Sequence, residues 1–261
     1  MPRSWIPFLT LIRREIKRFL KVSVQTVVSP MITATLYLLI FGVSLGSQIE
    51  LSNGISYLAF LIPGLVMMSC LNNAFQNSSS SIVSSKFSGD LEDLKIAPIT
   101  NQQIIWAMAV GGLVRGVFVG FVTFAVAQVF HFLSTDSFLA IQHPLFLLLF
   151  LILGGLSFAL LGLSTAFWSK NFDHLAAVNS FILLPLIYLG GVFFSVESLG
   201  GFWKSIALAN PLLYFINGVR FGFLGQADVP VEKALLISLF SLVILYFIAQ
   251  YSVKKSSFAR W

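Results

Sequence analysis

Six long, nearly uncharged apolar runs constrain this chain more than any other feature. Runs of the length that a membrane-spanning helix needs, about 20 residues, cover residues 22–47, 55–81, 103–130, 144–168, 175–194 and 231–252. Over the whole chain 57% of the residues are hydrophobic and 10% are charged. So few charges cannot keep such a chain soluble in water. The sequence therefore predicts one all-α integral membrane domain over residues 1–261 with six transmembrane helices.

The basic residues lie on one side of the predicted membrane. The amino terminus, the second and fourth connections and the carboxyl terminus together hold twelve of the 16 Lys and Arg residues, and the first and third connections hold none. Because Lys and Arg are retained in the cytoplasm, we expect a multi-pass protein with both termini cytoplasmic. The net charge of +6 follows from this orientation. It does not indicate nucleic acid, because no basic patch alternates with stacking aromatics outside the amino terminus.

Residues 3–21 have the pattern of a helix lying in the membrane surface. Apolar residues recur at helical spacing on one side, namely Trp5, Phe8, Leu9, Ile12, Ile16, Phe19 and Leu20. Basic residues occupy the other side, namely Arg13, Arg14, Lys17 and Arg18. This division predicts an interfacial amphipathic helix. A simple membrane anchor and a lever at the cytoplasmic face are both compatible with it.

The second connection, residues 84–100, mixes charged and apolar residues. Lys86, Asp90, Glu92, Asp93 and Lys95 surround apolar positions at Phe87, Leu91, Leu94 and Ile96. The pattern predicts a short amphipathic helix that Ser88 or Asp90 caps and that ends before Pro98. A solvated turn is the simpler reading, but the apolar edge favours a docking element for a cytoplasmic partner.

The third span contains a central arginine and a row of glycines. Gly112, Gly116 and Gly120 recur every four residues, which allows another helix, of this subunit or of a second one, to approach closely. Arg115 lies about 11 residues into the span, roughly 16 Å deep. No carboxylate is predicted at that depth. We expect its guanidinium to face carbonyls, water or an anionic ligand, in a structural role or along a translocation path.

Residues 195–230 form a long apolar connection broken by glycines and by Asn210–Pro211. Irregular backbone at membrane depth is tolerated where protein buries it, so we expect short helices that partly re-enter the bilayer. The charged residues of this region, Lys204, Arg220, Asp228, Glu232 and Lys233, are expected at the outer headgroup level.

No catalytic or metal-binding motif is present in the sequence. It lacks a G-x-x-x-x-G-K-[ST] phosphate loop, H-E-x-x-H and G-x-S-x-G. We therefore expect no enzyme activity, no metal and no cofactor in this chain, and energy for transport must come from a separate subunit or an ion gradient. An ion-coupled secondary transporter remains an alternative, although no predicted span centre contains Asp or Glu. A membrane-embedded hydrolase would need a nucleophile and a base at similar depth.

Two stretches resemble the membrane subunit of type-2 ATP-binding-cassette exporters. The first, GDLEDLKIAPI from Gly89 to Ile99, is similar to the family's G-x-L-E-x-L-x-x-x-P element, with Asp90 where the family often has Thr. The second, Leu189 to Arg220, resembles the family's later signature. The residues that carry this second likeness are Gly190, Gly191, Asn210, Pro211, Tyr214 and Arg220. The opening from Trp5 to Gly42 is similar to the YadH-like branch of these permeases.

The resemblance implies a permease with six spans, a coupling helix and two re-entrant half-helices before the last span. Two copies of the chain would dock two copies of a separate ATPase, which would bind ATP and Mg. Glu92 would be the centre of the coupling contact, shaped by residues of the same element, namely Phe87, Gly89, Asp90, Leu91, Asp93, Leu94 and Pro98. The family exports lipids, glycolipids, polysaccharides or drugs across the bacterial inner membrane. An import permease is disfavoured because its long Glu-Ala-Ala loop is absent.

Overall fold

The computed structural model describes residues 5–46 and 54–255, except for the side chain of Lys95. Arg3, Arg260, the outer end of the first predicted span and most of the first connection lie outside the described residues. Within the described ranges the chain is helical and contains no strand. The helices are α1 (Trp5–Lys21), α2 (Ser23–Tyr37), α3 (Tyr57–Ser88), α4 (Asp90–Ile96), α5 (Asn101–Thr135), α6 (Pro144–Trp168), α7 (Phe172–Val178), α8 (Leu184–Leu189), α9 (Gly201–Ala209), α10 (Pro211–Leu224) and α11 (Val231–Lys255).

Six helical segments are long and apolar enough to cross a membrane. They are Ser23–Ser44, Tyr57–Ser88, Asn101–Thr135, Pro144–Trp168, Phe172–Leu189 and Val231–Lys255. The first continues α2 into a π-helical turn, and the fifth joins α7 to α8 through another π-helical turn. The number agrees with the six spans expected from the apolar runs. One difference is that α3 extends to Ser88 and so includes residues 84–88, which the sequence pattern had assigned to the connection.

The almost wholly buried α3 lies at the centre of the bundle against α5, α6 and α10, and α1 reaches it through side-chain hydrogen bonds. Small residues of the neighbours allow this close packing. A Cβ atom at Gly116 of α5 would lie 2.6 Å from the backbone oxygen of Cys70 in α3. Gly112 faces Ser78 and Ala159 equally closely. The glycine row of α5 therefore packs within one subunit.

The two ends of the bundle differ. At one end, called here the α4 end, α3 finishes beside the last turn of α6. Trp106, near the start of α5, stacks on Tyr246, near the end of α11, at a ring-centroid distance of 5.5 Å. At the opposite end, called the α9 end, the Tyr57 hydroxyl donates to the Phe193 carbonyl over 2.8 Å. There the His143 amide also donates to a carbonyl of α10.

Replacing Gly116 by Ala should destabilise the bundle, because the new methyl group would press on the α3 backbone. Overpacking of this kind costs about 1–3 kcal/mol. We expect a lower melting temperature for Gly116→Ala in detergent, measured by the loss of the monodisperse peak after heating. Gly120→Ala is the matched control, because the nearest atom to its Cβ is 3.4 Å away. Equal melting temperatures for the two variants would contradict this packing.

Candidate functional site

The short helix α4 presents one buried side and one exposed side. Leu91 and Leu94 are buried against the bundle, whereas Glu92 and Asp93 are exposed. Ile96, in the last turn, is 85% exposed, which is unusual for an isoleucine in a folded protein. A two-turn helix with apolar contacts on one side is held in place by the bundle. Its acidic side is exposed.

The start of α4 differs from the sequence expectation. Neither Ser88 nor Asp90 caps the helix: the Ser88 hydroxyl donates to the Ser84 carbonyl inside α3 over 3.2 Å. The N-cap residue is Gly89, whose φ of 85° lies in the left-handed region that favours glycine. This glycine ends α3 and starts α4 in one residue, so no side-chain cap is needed for the turn. Pro98 follows the end of α4, as its missing N–H predicts.

Phe87, in the last turn of α3, extends this surface. Its ring stacks on the ring of Phe172 at the start of α7, with centroids 5.3 Å apart and an angle of 11° between the planes. About half of the Phe87 side chain remains exposed. The exposed surface formed by Phe87, Glu92, Asp93 and Ile96 is called here the α4 surface. It combines apolar and acidic groups in the way that protein-binding surfaces do.

Helix α1 is fixed to α3 by a carboxylate that the sequence pattern did not single out. Glu15 is fully buried, and the Ser81 hydroxyl donates to its Oε1 over 2.8 Å. The Nε of Arg18 lies 3.4 Å from Oε2 of Glu15. A guanidinium N–H of Arg18 also donates to the Asn77 carbonyl over 2.6 Å. Ser81, Asn77 and the two α1 side chains form one polar network between the helices.

This network corrects the simple two-sided picture of α1. The side toward the bundle carries Leu11, Glu15 and Phe19, and the apolar Trp5 and Leu20 are exposed. Arg13 and Lys17 are exposed as expected, but Arg14 and Arg18 turn toward α3. One acidic residue among four basic residues suggests a solvent-exposed ion pair by its spacing. Glu15 is buried instead, because Ser81 of α3 donates a hydrogen bond to its carboxylate.

Arg14 connects α1 with α4. One guanidinium nitrogen of Arg14 lies 3.6 Å from a carboxylate oxygen of Asp90 and donates to the Ser85 hydroxyl over 3.3 Å. Both charged side chains are about half exposed, so their ion pair adds little stability. It nevertheless links the first residue of α4 to the helix that leads into α2.

Lys86 ties the end of α3 to the end of α6. Its buried ammonium donates to the carbonyls of Ala166, Phe167 and Ser169 over 2.8, 2.9 and 3.2 Å. Carbonyls at a helix end lack partners within the helix, and a cation there also interacts favourably with the helix dipole. Lys86, which the sequence pattern assigned to the charged connection, therefore joins the end of α3 to the end of α6.

A polar groove runs between α2, α3, α5 and α7. It consists of two adjoining cavities of about 390 and 350 Å³, called here the inner and the lower cavity. Gln25, Gln76, Arg115 and Asn179 line both of them. The inner cavity adds polar groups from α2 and α3, namely Ser29, Thr33, Tyr37, Ser69, Asn72 and Asn73. The lower cavity extends to Arg18, Ser79 and Ser80.

Arg115 enters this groove without a partner. Among residues 5–46 and 54–255 it has no carboxylate within ion-pair distance and makes no hydrogen bond, and its Nε is buried and unpaired. Two neutral amide oxygens, Asn72 Oδ1 and Asn179 Oδ1, are also buried and unpaired in the groove. Both roles expected for Arg115, structural or along a translocation path, stay predictions.

Arg220, expected at the outer headgroup level, is enclosed by protein near the α9 end. It lies inside the bundle with 2% of its surface exposed. One guanidinium nitrogen donates to the Gly191 carbonyl over 2.6 Å, another is 3.7 Å from Asp228, and the guanidinium carbon stands 3.8 Å above the centre of the Phe60 ring. The break at Pro211 turns α10 back through the protein, which carries Arg220 inward with its counter-charge.

The other residues of the second signature lie around the same junction. Asn210 accepts a hydrogen bond from the Leu212 amide and donates to the Leu186 carbonyl of α8 over 2.6 Å. Pro211 follows at the first position of α10, and the Tyr214 hydroxyl donates to the Leu208 carbonyl over 2.7 Å. Gly191 has a φ of 81°, in the left-handed region that favours glycine, and its carbonyl accepts the hydrogen bond from Arg220. Gly190, beside it, packs on Ile216.

Six helices that are long and apolar enough to cross a membrane, with a polar groove between some of them, define the class as integral membrane proteins. Comparison with known sequences gives the family. The sequence model of the ABC-2 type transporter family matches residues 7–224, and the chain belongs to that family. It is therefore a membrane subunit of the permease type, and its own residues provide the transmembrane part of a transporter.

Curated relatives agree with this assignment. The chain is 39% identical over 249 residues to the inner membrane transport permease YadH of Escherichia coli (strain K12), covering 95% of this chain and 93% of the relative. It is 24% identical over 232 residues to nodulation protein J of Rhizobium leguminosarum bv. viciae, covering 87% and 85%. Nodulation protein J of Rhizobium meliloti is 22% identical over 237 residues, covering 88% and 86%.

Replacing Glu15 by Ala should loosen α1 from the bundle, because it leaves Arg18 and Ser81 without their carboxylate. Losing such a buried partner costs about 1–3 kcal/mol. We expect a lower melting temperature of the purified chain for Glu15→Ala and little change for the exposed Lys17→Ala.

A double-mutant cycle tests whether the two groups act together. Once Glu15 is removed, the further change Arg18→Ala should lower the melting temperature less than it does in the original chain, because contacting groups are not additive. Strictly additive losses would contradict the network.

Proposed function

We propose that this chain is the membrane subunit of an ATP-driven exporter in the bacterial inner membrane. In this proposal two copies form the translocation path, and each binds one copy of a separate ATPase subunit that holds ATP and Mg. Family membership supports the permease role. The name of the Escherichia coli relative, an inner membrane transport permease, supports the location. The substrate class is a lipid, a glycolipid or polysaccharide, or a drug-like molecule.

The α4 surface is the observation that carries the proposal. Leu91 and Leu94 hold α4 against the bundle, so a force on its outer side is transmitted inward. Glu92 and Asp93 offer charge to a partner, and the exposed Ile96 offers apolar area. We assign this surface to docking of the ATPase, with Glu92 as the central contact. Both termini then lie on the cytoplasmic side, with α4.

Three side chains connect α4 to the groove. Asp90 pairs with Arg14 of α1, and Arg18, one helical turn further along, is bonded to Asn77 of α3. Arg18 also lines the lower cavity. A shift of α4 therefore reaches the wall of the groove through α1, which acts as the lever anticipated from its amphipathic pattern.

Such coupling has a thermodynamic requirement. The ATPase must bind the two conformations of the permease with different affinities in its ATP-bound and empty states, because equal binding would shift no population. Residues 195–230 would remain the outer part of the path. We propose that α9 and α10 form a re-entrant pair, since Asn210 at their junction bonds to α8 while Gly222 near the other end of α10 bonds to His143 at the α9 end.

The groove opens on the side of α2 and α7, whose residues are largely exposed. A second copy placed there would close it and give a path between two subunits. An ion-driven mechanism fits the groove less well, because coupling to protons or sodium uses carboxylates in the path. Among the described residues lining the two cavities there is neither Asp nor Glu.

Reversing the charge of the proposed contact should separate the permease from its motor. In the complex with the ATPase subunit, Glu92→Lys should lower the amount of copurified ATPase about tenfold, equivalent to about 1.4 kcal/mol, and abolish ATP-dependent export. The measurements are the ATPase-to-permease ratio after affinity purification and the ATP-dependent release of product from cells.

Glu232→Lys is the matched control. It makes the same charge change at an exposed residue in the first turn of α11, at the α9 end. We expect it to keep full copurification and export. If Glu92→Lys behaved like Glu232→Lys, α4 would not be the coupling helix.

A further inference from the structure

We propose that the polar groove is a binding site for the headgroup of an anionic, hydroxyl-bearing amphiphile, with Arg115 as its charge contact. This rests on the proposed function, because it names the substrate class of the same path. It also goes beyond that function, because neither the ATPase nor the export direction enters the argument.

The charge of Arg115 is the first step. An arginine buried at membrane depth is unfavourable unless it is compensated, and Arg220 shows what compensation looks like in this fold, with a carboxylate, a carbonyl and an aromatic ring around it. Arg115 has none of these among the described residues. The Nε atoms of both arginines are buried and unpaired, so what Arg115 lacks is the carboxylate and the carbonyl, and an anionic oxygen is the strongest acceptor for a guanidinium.

The surroundings add positive rather than negative potential. Arg18 lines the lower cavity together with Arg115. Glu15 neutralises the charge of Arg18 through an ion pair, and Glu15 itself lines neither cavity. The net effect in the groove is about one uncompensated positive charge, that of Arg115. One anionic group is therefore enough to neutralise the site.

Two unpaired amide oxygens of the protein indicate which other groups the headgroup carries. Asn72 Oδ1 and Asn179 Oδ1 are acceptors without donors, and both residues line the inner cavity with Arg115. Hydroxyl groups are the donors that would satisfy them. A phosphate ester of glycerol or of a sugar combines one anion with several hydroxyls. A choline headgroup has no donor and carries a positive charge beside Arg115.

An apolar surface adjoins the groove, which favours a lipid over a free phosphate ester. Helix α2 contributes Gln25, Ser29 and Thr33 to the inner cavity and also to an open depression of about 550 Å³ on its outer side. That depression is bordered by Val24, which is 73% exposed, and by the exposed Val28 and Ile32. A headgroup in the groove can therefore leave its acyl chain along α2. At about 390 Å³ the inner cavity is within the usual size of a ligand site.

The test measures binding to the purified full chain in neutral detergent, without the ATPase. The probes are dioctanoyl phosphatidylglycerol, dioctanoyl phosphatidylcholine and glycerol 3-phosphate, and apparent Kd values come from native mass spectrometry. We expect phosphatidylglycerol to bind at least about tenfold more tightly than either other probe. All three probes carry a phosphate, so the preference comes from two other differences: phosphatidylcholine has no hydroxyl donor and adds a positive charge, and glycerol 3-phosphate has no acyl chains to bury.

Arg115→Gln should weaken phosphatidylglycerol binding about tenfold, whereas Arg115→Lys, which keeps the charge, should retain most of it. Lys204→Gln removes an exposed positive charge in α9 and should change nothing. Equal binding of phosphatidylglycerol by Arg115→Gln and the original chain would overturn the proposal. So would phosphatidylcholine binding as tightly as phosphatidylglycerol. Tight binding of glycerol 3-phosphate alone would overturn the lipid assignment.

Two features keep the result interpretable. The comparison of the three probes uses the unaltered chain, so it stands even where Arg115→Gln fails to fold. Because no ATPase is present, the outcome is independent of Glu92→Lys. The groove proposal can fail while the coupling of α4 to an ATPase stands, and the reverse also holds.

Discussion

The structure depends on the burial of α3, an apolar helix that carries a row of hydroxyl and amide side chains, at the centre of the bundle. In a bilayer each buried polar group needs a partner within the protein, and the hydroxyl and amide groups of α3 supply such partners. Ser78 donates to the Met108 carbonyl of α5, and Ser81 donates to Glu15 of α1. These bonds require that the helices lie close together, and the glycines of α5 and α6 permit this close approach. Gly162 of α6, for example, lies directly on the Phe75 backbone.

In the part of the chain that the structure describes, the buried basic side chains of this bundle fall into two groups, those with protein acceptors and one without. Arg220 and Lys86 are buried against protein and join elements: Arg220 donates to the Gly191 carbonyl and lies 3.7 Å from Asp228, and Lys86 donates to carbonyls at the end of α6. Removing one partner from such a group would leave an uncompensated charge. Arg115 differs because its side chain lines the two cavities of the groove and has no carboxylate or carbonyl partner among the described residues. That contrast within one fold supports the proposed binding role of Arg115.

The features that could be predicted from the sequence are the ones set by local pattern. The six apolar runs and the alternation of Leu91 and Leu94 with acids define helices without reference to the rest of the chain. Glu15 and Arg220 could not be placed in this way. Glu15 stands among basic neighbours that suggest solvent exposure, and only Ser81, 66 residues away, explains its burial. Arg220 follows an Asn-Pro break whose direction depends on the packing of α10 against α6. The predicted capping residues of α4 were wrong for a related reason: Gly89 is both the C-cap of α3 and the N-cap of α4.

Arg18 lies between the proposed coupling surface on α4 and the proposed binding groove. It is bonded to Glu15 and Asn77, and the same side chain lines the lower cavity. Under the proposed mechanism, a movement of α1 relative to α3 would change these bonds and the distance of the Arg18 charge from the groove. The potential acting on an anion beside Arg115 would then differ between the two conformations. Differential affinity of this kind is what a ligand needs in order to shift a conformational equilibrium, so the ligand and the motor would act on the same helix.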